Sequence, residues 1–282
     1  MTIGEQETRE ERKTRSAGTA MHLAELPRLS LDSRVRSAHA LITREIAIRV
    51  MKGVYPPDGI LPNESQLIEE FGVSRTVLRE ALKTLAAKGM IVAKTKIGTK
   101  VLPEACWNMY DPQVLSWHID AGMDSEFLIK VFEVRQALEP AAAAMAAIRR
   151  TNENLRRMRL FLMAMARPAH TRDSYGEWDL HFHQEILFAS GNPFMLSFSS
   201  IIEASIFRAF KVSAPVDSGE RLAASIARHH AVLEAVTRGD AAAASAAMSQ
   251  VIVEGIENAH FQLATSPTTI TLPLRIGAVK PH

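Results

Sequence analysis

The sequence is poor in cysteine and in long apolar runs, and each shortage excludes a class of protein. Its 282 residues include one cysteine, Cys106, so an internal disulfide bond is excluded. A lone thiol fits a reducing compartment, and with no recognisable partner base we assign it to packing. No stretch reaches the roughly 18 apolar residues of a membrane-spanning helix, and the N-terminus lacks the apolar core of a signal peptide. We therefore expect a cytoplasmic protein with no membrane contact.

Net charge is also small, but it is unevenly distributed along the chain. The whole sequence carries a formal charge of +2. Residues 30–103 contain twelve Lys and Arg against seven Asp and Glu, a net charge of +5, whereas residues 104–282 contain sixteen against nineteen, a net charge of −3. A basic small domain joined to a mildly acidic larger one indicates that a polyanion such as DNA binds the front of the chain.

Residues 61–101 have the pattern of a helix, a tight turn, a second helix and a two-stranded wing. Asn63 and Gln66 have the spacing of a capping box, which predicts the start of the first helix. Gly72 supplies the left-handed turn that ends this helix, and Ser74 caps the next one. This arrangement predicts a winged helix-turn-helix.

The second helix of this motif separates an apolar face from a polar one. Its leucines recur with a period near 3.6, whereas the opposite face carries Arg75, Thr76, Arg79 and Lys83. Such a helix fits the major groove of DNA, where Arg can donate two hydrogen bonds to guanine. The wing is predicted to turn at Gly98 and to bring Lys96 to the phosphate backbone. The alternative, a helical hairpin with solvated cations, does not explain the local excess of positive charge.

The segment PPDGILPNESQLIEEFGVSRTVLREALKTLAAKGMI resembles the winged helix-turn-helix of the GntR family of bacterial transcription regulators. The core SRTVLREAL is the most diagnostic part of the resemblance. It implies that Arg75, Thr76 and Arg79 contact bases or adjacent phosphates and that Gly98 enters the minor groove. Ser65 departs from the pattern, since many members carry a basic residue there, and this puts one customary DNA contact in doubt.

The rest of the chain predicts a mainly α protein whose second domain is an all-α antiparallel bundle. The expected division is a mobile tail at 1–29, the winged helix-turn-helix at 30–103, a linker at 104–123, the helical effector and dimerisation domain at 124–263 and an irregular tail at 264–282. Expected helices are 33–52, 125–149, 152–166, 173–190, 194–211, 218–238 and 241–262. In the linker, Trp107, Leu115 and Trp117 are predicted to be buried against both domains.

Four side chains of the bundle are candidates for a binding site. Asp179 and His183 lie four residues apart, which puts both on one helical face at the spacing of metal ligands, and His229 falls beside another apolar face. Alternatively, these histidines are satisfied by hydrogen bonds or lie at the surface. Arg135 would complement an anionic effector, or it pairs at the surface with Glu139, four residues later.

The segments EVRQALEPAAAAMAA, DLHFHQEILFASGNP and RHHAVLEAVTRGDAAAA resemble the FCD effector domain of the FadR-like GntR subgroup. In many such domains an Asp and three His hold a divalent metal that binds a carboxylate. The resemblance implies that Asp179, His183 and His229 are ligands of one ion of the Zn, Ni or Mn class. The fourth position corresponds to Val251, which cannot ligate. Either three protein ligands suffice, or another group substitutes, or the effector binds without metal.

These observations predict a homodimeric repressor that binds a palindromic double-stranded DNA operator and is released by a small carboxylate. The segments WNMYDPQVLSW and GNPFMLSFSSIIEASIFRAF resemble regulators of sugar-acid catabolism, such as galactonate-responsive members, which implies a sugar acid as effector. A regulator responding to another organic acid is the alternative. A metal-dependent enzyme would lack an evident general base and would leave the basic front domain without a purpose. A structural DNA-organising protein would not need the ligand-sized bundle.

Overall fold

The computed structural model describes residues 38–122, 125–167, 170–212 and 215–265. The predicted tail at 1–29, the first residues of the predicted helix 33–52 and residues 266–282 lie outside this part of the chain. Secondary structure is mainly helical, with one small antiparallel hairpin within the described residues. The predicted fold class, a winged helix-turn-helix followed by a helical bundle, is confirmed.

The winged helix-turn-helix consists of three helices and a hairpin. Its elements are α1 (Ala38–Met51), α2 (Glu64–Phe71), α3 (Arg75–Ala87), β1 (Ile91–Lys94) and β2 (Gly98–Val101). The predicted caps are all present: Asn63 and Gln66 form a reciprocal capping box at the start of α2, and the Ser74 hydroxyl accepts from Val77 N at the start of α3. Each such cap stabilises its helix by about 0.5–2 kcal/mol, so short local signals suffice to place both helices.

The turn of the wing lies earlier than predicted. Residues 95–97 form the turn, and Lys96 adopts a left-handed conformation with φ of 64°. Gly98, which the sequence suggested as the turn, is instead the first residue of β2 and pairs with Lys94. A lysine with positive φ is uncommon because its Cβ approaches the following carbonyl, so the glycine looked like the better turn residue in the sequence.

The segment after the wing is packed rather than loose. It contains a 3₁₀ turn at Glu104–Cys106 and then α4 (Pro112–Ala121). Trp107 and Trp117 are buried in the core of the winged helix-turn-helix, whereas Leu115 packs against residues of the bundle. The prediction that these three side chains are buried against both domains is confirmed. The assignment of Cys106 to packing is wrong, because its side chain is exposed.

The bundle follows as α5 (Ser125–Arg149), α6 (Asn152–Met165), α7 (Arg172–Ala189), α8 (Pro193–Leu196), α9 (Ser199–Val212), α10 (Gly219–Arg238) and α11 (Ala241–Thr265). The single helix predicted at 194–211 is two helices. Asn192 caps α8, and the chain then turns, with the Ser199 hydroxyl donating to the Leu196 carbonyl at 2.8 Å. Serine hydroxyls compete in this way with helical hydrogen bonds, and an apolar period does not report that competition.

One apolar core joins the bundle helices. Small residues on α5, such as Ala142, Ala143 and Ala146, are fully buried and let neighbouring helices approach closely. Larger buried side chains, including Tyr175 and Phe182 of α7, fill the remaining space. Among the described residues, no helix is long and apolar enough to cross a membrane.

Candidate DNA-reading face and effector site

The polar face of α3 is exposed, as its spacing predicted. Arg75, Thr76 and Arg79 are exposed, while Leu78 and Leu85 on the opposite face have no accessible surface. The buried leucines fix the rotation of α3, because turning the helix would expose them. The polar side chains therefore form one continuous outward surface.

Two cations of this face already have acidic neighbours. Arg79 donates from Nε to both carboxylate oxygens of Glu64, at 3.1 and 3.2 Å, and Lys83 Nζ lies 2.8 Å from Glu80 Oε1. These side chains are exposed, and exposed ion pairs contribute only about 0–1 kcal/mol. A phosphate or a base edge can therefore compete for both cations at low cost.

The wing carries cations beside this face. Lys96 and Gly98 are exposed at its tip, whereas Lys100 pairs with Asp58 at 2.8 Å. The left-handed lysine at the tip is a strained conformation for a residue with a side chain. Such strain concentrates at functional sites, and the Lys96 side chain is exposed.

In the bundle, α7 and α10 bring Asp179, His183 and His229 together. The His229 Nε2 atom lies 3.1 Å from Asp179 Oδ1, and His183 Nε2 lies 3.7 Å from Asp179 Oδ2. One possible ligand atom from each of the three residues falls within 4.8 Å of the others, and all three residues are buried. The predicted set therefore converges on one buried point.

Hydrogen bonds orient both imidazoles of this cluster. His229 donates from Nδ1 to the Ser225 carbonyl at 2.8 Å, which leaves Nε2 facing Asp179. This Nε2 atom is buried and is paired with the Asp179 carboxylate at 3.1 Å. Two imidazoles with one carboxylate suit zinc, nickel or manganese.

The positive groups around Asp179 keep its carboxylate ionised. Burial raises the pKa of Asp179, but the nearby histidines and Arg135 outweigh burial and hold the pKa below its usual value. For His229 burial acts in the opposite direction and lowers the pKa. The Asp179 carboxylate outweighs burial, so the pKa of His229 lies above its usual value. A metal binding here must therefore displace a proton that Asp179 helps to retain, so acid will weaken its binding.

Arg135 and Glu139 form the predicted pair, but in the interior rather than at the surface. The Arg135 Nε atom lies 2.5 Å from Glu139 Oε1, and the two side chains are 5% and 1% exposed. Burial raises the pKa of Glu139, but Arg135 and His183 outweigh it and bring the pKa to about 2. Removing one member of such a buried pair costs about 3–5 kcal/mol, because the other charge is left uncompensated.

Sequence reasoning placed Glu139 only at the surface, as a partner of Arg135, and missed Ser205, Tyr175 and Ser225. Glu139 accepts a short hydrogen bond from His183 Nδ1, Ser205 is 3.0 Å from Arg135 Nη1, and the Tyr175 hydroxyl is 3.0 Å from that of Ser225. Tyr175 and Ser225 each lie one helical turn before a cluster residue, which is a signal that could have found them. Ser205 has no such signal, because its helix reaches the site only through packing.

Two neighbouring histidines and Val251 lie outside the cluster. His181 and His230 lie on the partly or fully exposed sides of α7 and α10, near Glu177 and Glu234. Val251 is buried in the apolar core of the bundle, where it packs and offers no ligand atom.

Known protein families match both the winged helix-turn-helix and the helical bundle of this chain. The family model for bacterial regulatory proteins of the gntR family matches residues 40–101, and the FCD domain model matches residues 130–254. The uncharacterized HTH-type transcriptional regulator YieP of Escherichia coli is 36% identical over 63% of this chain and 78% of its own length. The galactonate operon transcriptional repressor of Escherichia coli is 35% identical over 57% of this chain and 70% of its own length.

A solved structure supports the fold. The structure of Lar, described as controlling expression of the Listeria monocytogenes agr system, covers 81% of this chain and 99% of its own chain. Its TM-score is 0.57 at 18% sequence identity, so the likeness concerns the fold alone.

Proposed function

Because this chain belongs to the GntR family of bacterial transcription regulators and carries an FCD domain, we propose that it is a repressor released from its operator by a small carboxylate. Its membership makes it a DNA-binding regulator rather than an enzyme. The observation that carries the proposal is the joint presence of an exposed basic reading helix and a buried Asp–His–His cluster in one packed chain.

In this proposal α3 enters the major groove of the operator. Arg75, Thr76 and Arg79 face the bases, Lys83 faces the adjacent backbone, and the wing tip with Lys96 and Gly98 lies against a neighbouring groove. One such helix reads too few base pairs for useful specificity. A homodimer with two reading helices reads two half-sites, which is why a palindromic operator is expected.

The effector site is the cluster of Asp179, His183 and His229. These three side chains would hold a divalent ion of the zinc, nickel or manganese class, and the convergence of one ligand atom from each within 4.8 Å supports this assignment. When bound, the ion supplies a positive charge that coordinates a carboxylate oxygen of the effector. Since Val251 is packed in the core, the ion would keep three protein ligands and leave positions open.

A sugar acid is the effector class that these side chains fit best. Its carboxylate would approach the ion near Arg135, and its hydroxyl groups would meet the polar side chains around the cluster, including Ser205, Tyr175 and Ser225. The relative named as a repressor of a galactonate operon supports the same class. Arg135 acts here within a network, because Glu139 and Ser205 already bond its guanidinium.

A chain of contacts links this site to the reading helix. Arg135 bonds Ser205 of α9, and the Ser200 hydroxyl of the same helix donates to the Tyr110 carbonyl at 3.2 Å, just before α4. Leu115 of α4 packs with residues of α9 in one apolar cluster. A shift of α9 on effector binding would therefore move α4.

The second half of the chain of contacts runs from α4 to α3. Lys88, which follows the last residue of α3, lies 2.6 Å from Asp111, the N-cap of α4, and both side chains are largely shielded from solvent. We infer that effector binding changes the spacing of the two reading heads of the dimer through this route. It can do so only if the effector binds the two arrangements with unequal affinity.

Replacement of His183 by alanine tests the effector site. An operator is selected from a random DNA library, and its complex is titrated with sugar acids, galactonate first, in the presence of zinc. We expect wild-type protein to be released, His183→Ala to keep its operator affinity but need at least about tenfold more effector, and chelator to abolish release. Fluorescence anisotropy of labelled operator measures all three.

His230→Ala is the matched control, because His230 is an exposed histidine on α10 that lies outside the cluster. This variant should titrate like the wild type. An identical effector titration of His183→Ala and wild type would move the effector site elsewhere.

A further inference from the structure

We propose that Glu139 is a positioning residue that fixes the ring orientation and tautomer of His183, so that His183 meets a metal through Nε2. The inference rests on the proposed function of the Asp179, His183 and His229 cluster. It assigns to Glu139 a role that the sequence motif for metal ligands does not contain.

The contacts of His183 decide which of its ring nitrogens carries the proton. Nδ1 makes a short hydrogen bond with Glu139 Oε2, and Nε2 lies 3.5 Å from Arg135 Nη2. The ionised Glu139 carboxylate can only accept, so Nδ1 donates the short hydrogen bond, and the longer contact from Arg135, which can only donate, agrees with Nε2 as the acceptor. The proton of the neutral ring therefore sits on Nδ1, where it is donated to Glu139, and the Nε2 lone pair is directed toward the cluster.

His229 shows the same orientation with a different partner. Its Nδ1 atom donates to the carbonyl of Ser225, one turn earlier on its own helix. The backbone thus orients one imidazole, whereas a carboxylate from a different helix orients the other. A carboxylate partner holds the ring by a charge-assisted bond and raises the basicity of the metal-binding nitrogen.

Glu139 is itself held in place from two directions. Arg135 lies one turn earlier on α5 and donates from Nε to Oε1 at 2.5 Å, so the second carboxylate oxygen is turned toward His183. Arg135 is in turn bonded to Ser205 of α9 at 3.0 Å and lies over the Phe132 ring at 5.2 Å from its centroid. Three helices therefore converge on a single carboxylate orientation.

This arrangement also changes the role expected of Arg135. If Arg135 served only to bind an anionic effector, the buried Glu139 carboxylate on the same helix would have no role. The pair Arg135 and Glu139 instead supports the ligand His183, and the effector carboxylate meets a site whose geometry is already set.

The test compares wild type with Glu139→Gln, which keeps the shape of the side chain but loses its charge. Cobalt(II) is used as the metal, with affinity measured by chelator competition and ligand geometry by the d–d absorption spectrum. We expect Glu139→Gln to bind cobalt about 10- to 100-fold more weakly, as loss of an outer partner of a ligand does. Long-range proton–nitrogen NMR of the metal-free protein should show His183 losing its preference for the Nδ1–H tautomer.

Glu185→Gln is the matched control. Like Glu139, Glu185 is a fully buried glutamate beside an arginine. Its carboxylate accepts a hydrogen bond from the Asn154 amide and lies near Arg157 of α6 rather than near the cluster. Its replacement should leave cobalt affinity and the His183 tautomer unchanged. A merely structural role for Glu139 would make the two variants alike.

If Glu139→Gln does not fold, Ser205→Ala removes the support of Arg135 more gently and should weaken cobalt binding by a smaller factor. Equal cobalt affinity and an unchanged His183 tautomer in the folded variant would overturn the role of Glu139. If the wild type binds no cobalt, the proposed metal site fails, and the tautomer of the metal-free protein alone then decides on Glu139.

Discussion

At the scale of one residue, an acidic neighbour holds the exposed guanidinium of Arg79 in an orientation that suits contact with DNA. Glu64 accepts from its Nε atom through both carboxylate oxygens, which restrains the guanidinium on the surface of α3. Within the described residues, this pair leaves both terminal nitrogens able to donate. These are the atoms that match guanine O6 and N7 in the major groove.

Arg79→Ala should remove sequence-specific binding while leaving dimerisation and effector binding intact. Loss of a bidentate contact costs about 1–3 kcal/mol per half-site, so the affinity for a two-site operator falls by at least tenfold. Fluorescence anisotropy with operator and with a scrambled duplex separates specific from non-specific binding. Lys96→Ala is the comparison, since loss of a phosphate contact weakens both duplexes equally and lowers the salt dependence. Full specific affinity of Arg79→Ala would overturn the assignment of this face.

Glu203 on α9 is an acid that the fold holds at an energetic cost. It is 9% exposed, and within the described residues no hydrogen bond or ion pair involves its carboxylate. Burial raises its pKa to about 8. The folded state therefore retains a proton on Glu203 that the unfolded chain releases near its usual pKa of about 4.3.

This difference gives Glu203 a defined pH dependence. Between about pH 4.5 and 8 the folded state binds more protons, so the contribution of Glu203 to the free energy of unfolding falls as pH rises. Glu203→Gln should raise the melting temperature at pH 8.5 and change it little at pH 5. Thermal unfolding at both pH values measures this, with the exposed Glu133→Gln as control. Equal effects of Glu203→Gln at both pH values would contradict the prediction.

At the scale of helices and strands, the sequence predicted most boundaries because their signals are local. The capping box of Asn63 and Gln66 acts within four residues, and so does the left-handed Gly72. Two of the differences arose where neighbouring groups compete. The Ser199 hydroxyl bonds back to the Leu196 carbonyl where the helix predicted at 194–211 divides, and the turn of the wing lies at Lys96 rather than at Gly98.

The C-terminal end of α3 and the N-terminal end of α4 meet through a charged pair, and each charge has the sign that its helix end favours. Lys88 lies at the C-terminal end of α3 and Asp111 at the N-terminal end of α4, where the helix dipoles favour a cation and an anion respectively. Lys88 also lies over the Trp117 ring at 5.7 Å from its centroid. This contact is the last step of the proposed route from the effector site to the reading helix.

Asp111→Asn should weaken the response to effector without weakening DNA binding. Asparagine can still cap α4, but the charge that holds Lys88 is lost. We expect the effector-induced change in operator affinity to shrink by about 0.5–2 kcal/mol. Anisotropy titrations with and without effector measure it. Asp120→Asn, which breaks the more exposed pair with Arg44, is the control and should respond like wild type. An unchanged response of Asp111→Asn would remove this pair from the route.

At the scale of the whole molecule, the sequence predicted part of the candidate site and missed the rest for one reason. Asp179 and His183 share one turn of α7, so helical spacing alone brings them together. His229 was a candidate from its position beside another apolar face, but only the resemblance joined it to Asp179 and His183, because it lies on another helix. Glu139 was noted as a partner for Arg135 at the surface, yet it is buried against His183. The spacing of residues along the sequence does not show which face of α5 packs against α7.

The sequence by itself determined the two-part architecture, the caps, the exposed polar face of α3 and the asymmetry of charge between the front of the chain and the rest. These properties depend on neighbours within about one helical turn or on summed charge. Only the tertiary structure decided that Arg135, Glu139, Ser205, His183 and His229 form one network. These residues come from four helices, and their distances depend on how side chains far apart in the chain fill a common core.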